Sequence, residues 1–160
     1  MTATDVESLI KLADEIEAKL DSLAKSGFIF DLGSRVVKYL ESDDLDDAWA
    51  FLKSYADYSS RQTALEIFRS IVSWARSVQS YSAQKWGSTS PQHQKFMRGN
   101  EKMLKVFENA SVPTSRIAVP FAQQTSEFRQ LVEQRPPPKW KRVFVFLPDL
   151  VRILVIVLKG

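Results

Sequence analysis

Cysteine is absent from the 160 residues, which excludes a disulfide scaffold, a thiolate zinc site and a cysteine nucleophile. Histidine occurs once, at His93, so multi-histidine metal centres are excluded and a Ser-His-Asp arrangement has a single candidate base. Five glycines leave little material for a phosphate-cradling loop, and seven prolines without a period exclude collagen-like classes. No Walker loop, dinucleotide fingerprint, nucleophile elbow or H-E-x-x-H stretch is present. These absences together lead us to expect a non-enzymatic chain, with no cofactor, no metal and no small-molecule substrate. The N-terminal stretch MTATDVESLIKLADEIEAKL is acidic and lacks both a basic start and a continuous apolar run. It reads as neither a secretory signal nor a transit peptide, and a cytoplasmic setting is the expectation.

Apolar residues make up 44% and charged residues 26%, enough of each for a solvated domain with a core. The net charge of +3 conceals a division of the chain. Residues 1–60 hold 13 Asp/Glu against 6 Lys/Arg, whereas residues 61–160 hold 16 Lys/Arg against 6 Asp/Glu. Such a division fits either an anionic partner for the basic part or the meeting of unlike faces, within one fold or between copies.

Helical periodicity runs through most of residues 5–133. Val6, Leu9, Ala13, Ile16, Leu20 and Leu23 recur at steps of three and four, with a Thr4–Glu7 capping box before them and Gly27 as the stop after them. Phe28-Ile29-Phe30 and a short helix through Val36, Val37 and Leu40 follow. Ser42-Asp43-Asp44 opens the next helix, whose inward face is Leu45, Trp49, Leu52 and Tyr55/Ala56. A long helix from about Arg61 to Lys85 carries the stripe Ala64, Phe68, Ile71, Val72, Ala75 and Val78, with Arg61, Arg69 and Arg76 outside. Ser90 caps and Pro91 begins another helix, through Phe96, Met97, Met103, Leu104 and Phe107, which Gly99-Asn100 is expected to split. An irregular connection over Val112–Val119 precedes a last helix begun by Pro120 and lined by Phe121, Gln124, Phe128, Leu131 and Val132. The predicted fold is all-α, a single bundle of five to six helices over 1–133. A Pro-rich spacer and an apolar docking segment make up 134–160.

Three features bear on function. Lys85, Trp86, Lys95, Arg98, Lys102 and Lys105 lie close together, and the last four recur at steps of three, four and three. On a helix that spacing makes one cationic face, which can follow a phosphate backbone while Trp86 stacks on a base. No RNA-recognition, KH or helix-turn-helix signature accompanies it, and a merely solvated face is the plainer alternative. Second, Arg135-Pro136-Pro137-Pro138-Lys139-Trp140-Lys141-Arg142 precedes a mostly apolar run interrupted by Pro148, Asp149 and Arg152. That run is too short and too broken to span a membrane. Trp140, Leu150, Ile153, Leu154, Ile156, Val157 and Leu158 are instead expected to be covered by the chain itself, by another subunit or by a membrane surface. Third, His93 among glutamines reads as a surface histidine. The acids Asp43, Asp44, Asp46 and Asp47 lack the glycine and glutamate of a calcium loop and read as helix-starting charge.

These features define the expected function. It is a self-assembling or complex-forming helical subunit whose basic second half holds an RNA backbone, in the manner of a coat or nucleocapsid protein. The alternative is a protein-interaction module that docks through its apolar C-terminal segment onto a larger complex or a membrane surface. Either reading implies a homo-oligomer or a larger complex.

Overall fold

The computed structural model describes residues 6–42, 45–54 and 59–133. Six α-helices carry the fold: α1 (Val6–Lys25), α2 (Arg35–Glu41), α3 (Leu45–Lys53), α4 (Ser59–Trp86), α5 (Pro91–Lys105) and α6 (Thr114–Glu133). A single 3-10 turn, Val106–Glu108, continues α5. The architecture is the expected all-α bundle. The Thr4–Glu7 box, the Ser42-Asp43-Asp44 opening, Tyr55/Ala56 and the whole of 134–160 lie outside the described residues, completely or in part.

The seam of α1 buries Leu9, Ala13, Ile16 and Leu20 against α6 and α4. Its end is a Schellman turn. Phe28 N–H donates to the Leu23 carbonyl at 3.0 Å and Gly27 N–H to the Ala24 carbonyl at 3.2 Å, with Gly27 at φ 72°. Only glycine adopts that left-handed conformation without steric cost, which is why the helix stops where the sequence places Gly27. The chain then forms a two-residue strand β1 (Ile29–Phe30), paired antiparallel with β2 (Val112–Pro113). Thr114 locks this clasp, because its backbone N–H and its Oγ1 both donate to the Phe28 carbonyl, at 3.3 and 2.7 Å.

The core is aromatic. Trp74 of α4 is fully buried, with ring centroids of Phe121 at 5.1 Å, Phe128 at 6.0 Å and Phe96 at 6.3 Å. Its Nε1–H donates to the Leu9 carbonyl at 3.1 Å, so the one polar atom of the side chain is satisfied inside the core. Tyr39, Phe68, Phe107 and Phe30 continue the cluster toward the clasp. All six residues of the stripe expected on α4 are buried.

Two boundaries differ from the sequence reading. The last helix begins at Thr114 and not at Pro120, which sits inside it. A proline within a helix removes one backbone hydrogen bond. The fully buried Ile117 and Phe121, on either side of Pro120, anchor the turn it weakens. Likewise Gly99-Asn100 does not split α5. Asn100 is fully buried, its Nδ2 donates to the Ala75 carbonyl of α4 at 3.3 Å, and its Oδ1 accepts from Gln124 Nε2 of α6 at 2.7 Å. Gly99 is there for closeness: a Cβ at this position would stand 2.3 Å from Gln124 Oε1. A pair of residues that reads as a helix break is therefore the junction of three helices.

Candidate nucleic-acid interface

The α5 helix holds the cationic row, and its capping matches the sequence reading. Ser90 Oγ accepts from His93 N–H at 3.2 Å, and Pro91 occupies the first turn. The inward face is set by His93, Phe96, Asn100, Met103 and Leu104, all buried. At 100° per residue, Lys95, Arg98, Lys102 and Lys105 fall within an arc of about 80° on the opposite side. All four are exposed. They are spread over roughly 15 Å of helix axis.

Their charges are unequally compensated. Lys95 Nζ lies 3.8 Å from Glu127 of α6, and Lys105 Nζ lies 3.5 Å from Glu101 one turn back. Both pairs are solvent-exposed, a setting in which an ion pair is weak and readily exchanged for another anion. Among the described residues, Arg98 and Lys102 form no ion pair. Lys85, also exposed, stands at the end of α4 beside the turn at Gly87 that leads into α5.

Trp86 does not join this surface. It is 3% exposed, so its ring offers no face to a base, and the stacking role expected of it is withdrawn. Val78, Ser82 and Trp86 recur at steps of four along α4, and that line is buried throughout. His93 is a second correction: it is 4% exposed, not a surface residue. Burial without a charge partner holds its pKa below the ordinary 6.5, so the imidazole is kept neutral. The short turn after Trp86 sets α4 and α5 antiparallel, and the register marked by the Asn100–Ala75 hydrogen bond brings Ser82 level with His93. Ser82 Oγ and His93 Nδ1 are both buried without a hydrogen-bond partner. Neither side chain reaches solvent, and the pair carries no catalytic argument.

Beside the cationic row, α2, α4 and α5 enclose a cleft of about 380 Å³. Val37, Leu40, Met97 and Leu104 give it apolar walls. Arg76, expected on the exposed side of α4, is half-buried here, with Nη2 donating to the Leu40 carbonyl at 3.1 Å. Among the described residues, no cluster of three or more acids or histidines is placed to hold a metal ion. No helix among them is long and apolar enough to cross a membrane. Trp140 and the residues from Leu150 to Leu158 expected to make contacts lie outside the described residues.

Compared with protein-family models, curated proteins and solved structures, the chain matches none.

Proposed function

We propose that the chain is a non-enzymatic helical subunit that holds an RNA backbone along the outer face of α5 and works within an assembly of copies. The observation that carries this reading is the exposed row Lys95, Arg98, Lys102 and Lys105 on one side of a single helix, two of whose members form no ion pair among the described residues. Contact is through phosphates and is therefore sequence-tolerant. The buried Trp86 contributes nothing to it. The opposed charge of the two halves of the chain supports contact between copies.

The test is binding of the full chain to a labelled single-stranded RNA over a range of salt. Neutralising four phosphates of a single strand gives a slope of about −3 in log K against log salt. Replacing two cations, as Arg98→Gln with Lys102→Gln, makes that slope shallower by roughly 1.4. A full chain that stays monomeric and binds no RNA at low salt refutes the reading.

The cleft favours a second reading, a protein-interaction module, because Met97 at its mouth is 41% exposed. Salt separates the two. Phosphate contact weakens steeply with added salt, whereas apolar docking holds or strengthens in sulfate.

A further inference from the structure

The cleft and the cationic row are continuous. At 100° per residue, Leu104, Met97, Glu101 and Lys105 follow one another across an arc of about 100° of α5, from its inner face outward. Lys105 therefore ends the cleft and begins the row, and Arg98 stands about 20° further on. Met97 and Lys105 are exposed, so this edge of the cleft is open to solvent beside the row. Across from it stand Leu40 and Glu41 of α2, with Glu108 of the 3-10 turn at one end. Behind, Arg76 is fixed on the Leu40 carbonyl and ties α2 to α4. The lining thus joins apolar walls, carboxylates and, along the shared edge, cations.

A ligand of a single charge meets its like in such a cleft. A nucleotide does not, because its phosphate is anionic while the Watson–Crick edge of an amino-bearing base presents N–H donors. We propose that the cleft receives one base of the RNA whose phosphates lie along the row, and that it prefers a base with an exocyclic amino group. This inference rests on the RNA reading of the row. The phosphate lies at Lys105 and Arg98, and the base packs against Met97 and Leu40. Glu101 already pairs with Lys105. Glu41 and Glu108, which form no ion pair among the described residues, accept from the amino group. Uracil in the same place sets its O4 against a carboxylate, acceptor facing acceptor. The volume of about 380 Å³ falls within the range of small-ligand sites, about 300–1,000 Å³. Phosphate contact alone is indifferent to sequence, so the cleft adds a base preference to it.

The experiment compares binding of the full chain to a cytidine oligomer and a uridine oligomer of equal length, each titrated over the same range of salt. The two bases have nearly the same shape and differ in presenting an amino group or a carbonyl. The expected result is a salt slope near −3 for both oligomers. Affinity for the cytidine oligomer is about tenfold higher throughout. Glu41→Gln with Glu108→Gln brings that ratio toward one without weakening uridine binding, because an amide serves either base. Unchanged urea stability reports that the variant is folded. Met97→Ala, which removes an exposed wall, is a second variant and also lowers the ratio. Equal affinities with a slope near −3 overturn base docking and leave the phosphate row standing, whereas no binding to either oligomer overturns both. A tenfold preference indifferent to both variants places the base elsewhere and overturns the proposal. Equal affinities, with an oligomer of the full chain that dissociates on Met97→Ala, assign the cleft to a second copy and overturn it equally.

Discussion

The two sides of α5 are held to different standards. On the inner side the packing is specific: Phe96 lies against Trp74 and Phe128, and Asn100 bridges Ala75 and Gln124. On the outer side four cations share two carboxylates among the described residues, and both pairs are exposed. The inner side therefore determines whether the helix is placed, and the outer side is free to vary or to bind. Substitutions on one helix can then separate stability from binding, and each of the following tests that separation.

The largest effect is expected at Phe96. Its ring is 1% exposed, and Phe96→Ala removes it from a close-packed aromatic cluster. A loss of about 3–5 kcal/mol in urea unfolding is expected. A loss below about 1 kcal/mol would show that the inner side is loosely packed and would remove the contrast. Next is Asn100→Ala, which removes the side-chain donor to the Ala75 carbonyl and deprives Gln124 Nε2 of one of its two acceptors, the Phe96 carbonyl remaining at 3.1 Å. The expected cost is about 1–3 kcal/mol, measured the same way.

Acid provides a third test. His93 binds its proton less readily in the folded chain than at the ordinary pKa of 6.5, so below that pH the unfolded chain takes up more protons. Stability is complete above about pH 6.5 and is lost as the pH falls below it, with a slope of at most about 1.4 kcal/mol per pH unit for one proton. His93→Gln should flatten the dependence between pH 6.5 and 5.5. A slope unchanged by the substitution would place the acid sensitivity elsewhere. The smallest effect belongs to the outer side. Arg98→Gln with Lys102→Gln should leave urea stability within about 0.5 kcal/mol of the original. A larger loss would show that the row supports the fold.

Much of this arrangement was legible in the sequence. The α1 seam, its glycine stop, the α4 stripe and the Ser90-Pro91 start were read correctly, because each depends on local spacing or local capping. What escaped depends on partners distant in sequence. His93, Phe96, Asn100, Met103 and Phe107 repeat at steps of three and four, so the position of His93 on the inner face was visible in the spacing. Its polarity suggested the opposite. Trp74 falls three residues after Ile71 and four before Val78, again the spacing of the stripe. What makes it the hub is the Leu9 carbonyl 65 residues away, which no local pattern reveals. Pro120 was misread for a related reason, since a proline is tolerated inside a helix only where neighbouring core positions hold the turn. The outer side of α5 was legible in full as spacing, but the carboxylates near it come partly from α6, and Glu127 was not anticipated.

The packing of α1 on α6 has a consequence for how this protein is made. Thr125 donates to Glu17 across 108 residues, and Arg129 meets Asp14 across 115. At about 5–20 residues per second, a ribosome takes some 5–20 s between producing the two sides of that contact. For that interval Leu9, Ala13, Ile16 and Leu20 lack the cover that α6 gives them. The nascent chain is therefore most in need of a chaperone before its sixth helix emerges, and a stall in translation between α5 and α6 would be the point at which it is most exposed to aggregation or proteolysis.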